Sequence, residues 1–165
     1  MINTAEYKLA KFLDSYIKPN IPSKYMLNST NDLLNVLESN KSHVNKDHVL
    51  ISYDVVSLFT NIPLEESINL AADYVYSSEI NQIPPFDKKI FKKLLEFATG
   101  GIFQFNNSYY KQTDGVMMGS PLGPTLANLF LAHMEMNWMS QEFSPILYRR
   151  YVDDIFCVFR SQHDS

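Results

Sequence analysis

Three short stretches carry residue types whose spacing suits chemistry on a phosphate ester. In Ser52–Phe59 (SYDVVSLF) the carboxylate of Asp54 follows the apolar run Val49–Tyr53. In Tyr151–Asp154 (YVDD) two carboxylates stand side by side between two apolar stretches. Between these stretches lies Gly115–Pro121 (GVMMGSP), a glycine-bearing loop that leads into a helical pattern. Phosphoryl transfer to a nucleotide needs two hard cations roughly 4 Å apart, one to activate the attacking oxygen and one to steady the leaving oxygen. Magnesium takes oxygen ligands and keeps several waters, so two or three carboxylates suffice. Clustered carboxylates repel one another without a cation. Taken singly, each stretch has an ordinary reading as a turn residue, a hairpin turn or loop punctuation. Taken together, carboxylates at two strand ends with a glycine loop between them point to a metal site.

The elements that must position these groups can be read from periodicity. Residues 4–17 form an amphipathic helix pattern with Leu9, Phe12, Leu13 and Tyr16 on one side, ended by Pro19 and Pro22. Asn28-Ser29-Thr30 offers N-caps for a helix carrying Leu33, Leu34 and Leu37. A polar loop over 40–47 precedes Val49–Tyr53, which reads as a buried strand ending at Asp54. After Pro63, Glu65 and Glu66 suit a first helical turn, and Ile68, Ala71, Ala72 and Val75 give that helix its apolar side. Pro84-Pro85 breaks it. A further helix carries Ile90, Phe91, Leu94, Leu95 and Phe97 and closes at Gly100-Gly101. Ile102–Phe105 and Ser108–Lys111 flank Asn106-Asn107, a tight-hairpin signature. Ser120 caps a helix with Pro121 at its first position and a stripe of Leu122, Leu126, Leu129, Phe130 and Met134. Ile146–Val152 and Ile155–Phe159 read as strands around Asp153-Asp154.

Composition narrows the class. The chain has 165 residues, 45% of them hydrophobic and 19% charged, enough apolar material for a core without disulfides. The lone cysteine, Cys157, excludes a disulfide framework and a multi-cysteine zinc site, and fits a reducing intracellular compartment. No apolar run approaches the roughly 20 residues that span a bilayer, so no membrane partner is expected. A net charge of −4 gives no overall basic signature for nucleic acid. Local basic patches remain at Lys88, Lys89, Lys92 and Lys93 and at Arg149 and Arg150; before Arg149 the chain has no arginine.

The three stretches resemble motifs A, B and C of a reverse transcriptase palm, in the order of that family. The text that carries the resemblance is Ser52–Pro63 (SYDVVSLFTNIP), Gln112–Leu131 (QTDGVMMGSPLGPTLANLFL) and Tyr148–Phe156 (YRRYVDDIF), and it is most similar to Penelope-like retroelements. The resemblance implies an RNA-directed DNA polymerase that extends a DNA primer on an RNA template with deoxynucleoside triphosphates and two Mg²⁺ or Mn²⁺ ions. It assigns Asp54, Asp153 and Asp154 as catalytic, metal-holding carboxylates. It lays the backbone of Val55, Ser57 and Leu58 along the incoming triphosphate and makes Phe59 an aromatic steric gate under the sugar. Gly119, Ser120 and Pro121 would touch the nascent base pair and template, and Tyr151 would lie near the primer end. Many relatives carry Gln-Gly at the front of motif B; here that register falls on Gly115 and Val116, with Gln112 and Asp114 displaced from it. Gly115 is assigned to the nucleotide site on that register.

The expected fold is α/β (α+β), a palm-type small antiparallel sheet packed against helices with partial helical fingers. Residues 48–63 and 112–160 would form the palm core, and 1–47 and about 64–111 partial fingers, connecting helices and the hairpin. Thumb, remaining fingers and any endonuclease domain are expected outside this chain, and the isolated piece is expected to be inactive. A nuclear location follows from the resemblance alone. Two other readings compete. One is an inactive palm-derived remnant that binds nucleic acid or protein. The other is a two-metal nuclease, which accounts for neither Phe59 nor the glycine loop.

Overall fold

The computed structural model describes residues 5–42, 44–77, 83–117, 119–140 and 144–161. Residue 4 of the first expected helix and Met118 of the glycine loop lie outside them. In chain order the helices are α1 (Ala5–Ile17), α2 (Thr30–Ser39), α3 (Leu58–Asn61), α4 (Leu64–Tyr76), α5 (Lys88–Thr99) and α6 (Leu122–Trp138). The strands are β1 (His48–Asp54), β2 (Ile102–Phe105), β3 (Ser108–Lys111), β4 (Leu147–Tyr151) and β5 (Asp154–Arg160). The architecture is the expected mixture of helices and small antiparallel sheets. The chain divides into two compact units, one of residues up to Ile21 with Ser57–Leu131, the other of Pro22–Val56 with the residues from Ala132 onward.

The first unit is helical. Its core joins Ala10, Leu13 and Ile17 of α1, Ile68, Ala71, Ala72 and Val75 of α4, Phe91, Leu95 and Ala98 of α5, and Leu122, Leu126 and Leu129 of α6, with Val116. These positions recur every three or four residues, the spacing of one helix face. Phe91 anchors the cluster through ring contacts with Tyr76 and Phe86; losing such a buried ring costs about 3–5 kcal/mol. Asp87 caps α5 by accepting from the Ile90 N–H at 2.8 Å. Ile90 and Phe97, expected on the apolar side of α5, instead stand exposed, because the buried face follows Phe91, Leu95 and Ala98. The hairpin β2–β3 closes as expected through Asn106 and Asn107 at φ 47° and 58°, the two left-handed residues of a type I′ turn.

The second unit is built on a three-stranded antiparallel sheet of order β1-β5-β4. Of the N-caps offered by Asn28-Ser29-Thr30, Ser29 caps α2, and Asp32 completes a reciprocal capping box not foreseen from the sequence. Two expectations need correction. Val49–Tyr53 forms a strand but not a buried one: β1 is the outer strand, paired on one side only among the described residues, and Leu50 is 59% exposed. The hairpin turn is Val152-Asp153 rather than Asp153-Asp154, and Asp154 opens β5. The outer side of β4 is covered locally. Arg150 N–H donates to Tyr25 C=O at 2.9 Å, and Leu27 N–H donates to Arg150 C=O at 2.8 Å.

Candidate active site

The backbone positions of the three acids adjoin in the second unit, because strand register brings the ends of β1 and β5 level. Asp54 pairs with Asp154 across the β1–β5 ladder, and opposed residues in a ladder project from the same face. The chain then leaves β1 through Val55, whose N–H donates to the Asp153 carbonyl at 3.0 Å. Asp153 therefore sits in the turn beside Asp54, half-exposed, while Asp54 and Asp154 are exposed. Tyr151 ends β4 opposite Asp154 and is largely exposed. Val152, before Asp153, takes φ 56°, a conformation that a β-branched side chain rarely adopts. Such outliers cost on the order of 1–3 kcal/mol and persist where surroundings fix them.

Among the described residues, no three His, Cys, Asp or Glu side chains are gathered as a metal cage. Magnesium does not require one: it is commonly held by one or two carboxylates, with waters and substrate phosphates filling the octahedron. Hard, exposed oxygen donors on two adjoining backbone segments fit that demand.

The other assigned residues lie in the first unit, and the structure brings several of them together. Ser57 stands at the head of α3 with φ 53°, its carbonyl accepting from Thr60 N–H at 3.1 Å. Leu58 is buried. Phe59 is half-buried, its carbonyl accepts from Val116 N–H at 2.7 Å, and its ring reaches Gly123 in α6. Gly115, at φ 71°, crosses so close to this segment that a Cβ would lie 2.6 Å from the Thr60 carbonyl oxygen. Gly119 also has positive φ, with open space where a Cβ would be. The Ser120 hydroxyl accepts from Leu122 N–H at 3.3 Å, but α6 begins at Leu122, so Pro121, expected at the first helical position, precedes the helix and Ser120 stands one residue before Pro121. Beside them a cavity of about 250 Å³ is lined by Tyr7, Ala10, Ala98, Gly101, Met117 and Pro121.

Two features escape a reading of the sequence. Asp114 looks like a displaced motif residue, yet its carboxylate accepts from Leu64 N–H, at the start of α4, at 2.9 Å and from Gly115 N–H at 2.8 Å. Those bonds hold its carboxyl below the ordinary carboxylate range. Arg150, expected in an exposed basic patch with Arg149, is wholly buried and ion-paired with Glu135. The signal was present: Glu135 continues the stripe Leu126, Leu129, Ala132 at three-residue steps, where an acid requires a buried partner.

The chain belongs to the reverse transcriptase (RNA-dependent DNA polymerase) family, whose profile matches residues 2–165. Among solved structures it is similar to telomerase from Candida tropicalis in complex with a TWJ fragment of telomeric RNA, with TM-score 0.62 and 15% identity over 94% of this chain and 28% of that one. Telomerase from Candida albicans with a TWJ fragment of telomeric RNA gives 0.60 and 12% over 93% and 30%. Apo telomerase from Candida tropicalis, truncated from its C-terminal domain, gives 0.58 and 12% over 95% and 34%. At these identities the likeness is one of fold. The chain spans about a third of the length of these structures. No curated protein sequence matches it. Among the described residues, no helix is long and apolar enough to cross a membrane.

Proposed function

We propose that the chain is the catalytic core of a Penelope-like retroelement reverse transcriptase, which adds deoxynucleotides to a DNA 3′ end on an RNA template. The observation that carries this reading is the level pairing of Asp54 with Asp154 and the bond from Val55 to Asp153, which together put motif A and motif C carboxylates on adjoining backbone. Family membership supports the polymerase class, and an RNA partner is in keeping with telomerases of similar fold that are in complex with telomeric RNA. A nuclear site of action follows from the retroelement reading.

Asp54 and Asp153 would hold the divalent cations, with Asp154 in support. When bound, the cations supply activation of the attacking hydroxyl and neutralisation of phosphate charge. The backbone of Val55, Ser57 and Leu58 would line the triphosphate, with Gly115 at the nucleotide site and Phe59 beneath the sugar. Gly119, Ser120 and Pro121 would steady the template-side base pair, and Tyr151 the primer end.

The test pairs binding with chemistry. Mn²⁺ should broaden the Asp54 and Asp153 amide resonances of the chain, and Asp153→Asn should weaken that binding and abolish template-directed extension by the parent polymerase. Extension that survives Asp153→Asn would remove the two-metal reading. For the sugar, Phe59→Val should admit ribonucleotides when compared at matched folded fraction; unchanged discrimination would return Phe59 to a packing role.

A further inference from the structure

Arg150 lies three residues before Asp153, and its side chain is wholly removed from solvent. A guanidinium out of water is costly unless paired and hydrogen-bonded. Its partner is Glu135, on the last turns of α6, 1% exposed. Arg150 Nε ion-pairs with Glu135 Oε1, and Nη2 lies 3.4 Å from Oε2. Tyr148, two residues earlier on the same strand, donates its hydroxyl to Glu135 Oε1 at 2.9 Å. Burial and the Glu135 charge push that phenol far above its ordinary value, so it remains a donor.

One arm of the guanidinium does something else. Nη1 donates to the Val152 carbonyl at 2.7 Å. Val152 is the residue at φ 56° that begins the turn bearing Asp153. The backbone N–H and C=O of Arg150 are both fixed on the outer side of β4, by Tyr25 and Leu27. A buried ion pair that merely fills space can be exchanged for apolar residues without loss of stability. This one also grips the turn, through a fork that binds carboxylate and carbonyl together.

We propose that Arg150, Glu135 and Tyr148 form a positioning network that holds the Val152-Asp153 turn and so aims the Asp153 carboxylate. The inference rests on the reading of Asp153 as a metal-holding residue. Groups that orient metal-binding carboxylates typically change metal affinity or activity by roughly 10–100-fold when lost.

The decisive comparison sets the wild-type chain against Glu135→Leu/Arg150→Met, Arg150→Lys and Asp153→Asn. The double variant refills the buried site with apolar atoms but leaves the Tyr148 hydroxyl without its acceptor, so its melting temperature should fall only modestly. The Val55 amide, bonded to the Asp153 carbonyl, reports the turn without any metal; in the folded double variant its hydrogen exchange should accelerate, and Mn²⁺ affinity should fall by roughly 10–100-fold. Lysine lacks the two-pronged grip, so Arg150→Lys should show the same direction, and it carries the decision if the double variant does not fold. Wild-type exchange and Mn²⁺ affinity in a folded variant, with Asp153→Asn losing the metal, would overturn the positioning role and leave the proposed function standing. Retained Mn²⁺ affinity in Asp153→Asn would overturn both.

Discussion

Glycine at two positions of the loop before α6 meets two different demands. At Gly115 a side chain would strike fixed backbone, the Thr60 and Phe59 carbonyl oxygens at 2.6 and 2.9 Å. At Gly119 the space is open and only the left-handed backbone is at stake. A non-glycine residue in that conformation costs about 1–2 kcal/mol. Gly119→Ala should therefore lose about that much in urea unfolding, and Gly115→Ala clearly more; equal losses would show that the Phe59–Thr60 segment yields. The carboxylates could be read only in combination, because a lone Asp at a strand end is ordinarily a turn residue, and it took two strand ends with a glycine loop between them to suggest a metal site. Arg150 was not legible. Its neighbour Arg149 suggested a basic patch, and although Glu135 lies on the apolar stripe of α6, folding is what joins the two.

At the scale of elements, the longer helices were legible, while the short α3 and the surfaces were not. Periodicity located α1, α4, α5 and the start of α6 because their apolar faces meet in one core. It misjudged β1, whose Val, Leu, Ile and Tyr read as a buried run, although sheet order puts the strand outermost. The turn register slipped by one because Val at positive φ is an unfavourable choice that a sequence rule rejects. The tie from Asp114 to the head of α4 spans fifty positions and leaves no local pattern. Its consequence is measurable. The folded chain keeps the Asp114 carboxyl below its ordinary value, so it favours the charged form. That contribution is complete at neutral pH, begins to fade as the unfolded chain protonates near about pH 4, and is gone once pH drops through the folded value. Asp114→Asn should lower stability at neutral pH and flatten the acid limb of the stability curve; an unchanged limb would assign acid sensitivity elsewhere.

For the molecule as a whole, the resemblance of the three motifs to a reverse transcriptase palm implied the mixed fold with a small antiparallel sheet that the structure has. The division into units was not legible, since it cuts between Val56 and Ser57, inside one motif, and again inside α6 at Leu131 and Ala132. Packing follows contacts that lie far apart in sequence, whereas motifs follow the chain.

The outer strand β1 has a consequence for how the protein behaves in a tube. Its outer backbone groups form a row without strand partners among the described residues, and Val49, Leu50 and Tyr53 stand exposed beside them. Such a row is a template on which another molecule can add a strand, and repetition of that step builds insoluble ribbons. Repulsion from the net charge of −4 opposes the addition, and it vanishes near pH 5.5, where the charges balance. Turbidity and dye-binding growth should therefore peak near that pH. Leu50→Lys, a charge set on the free edge, should delay growth while melting stays within about 0.5 kcal/mol of the wild type; undiminished growth would move the sticky surface to another part of the fold.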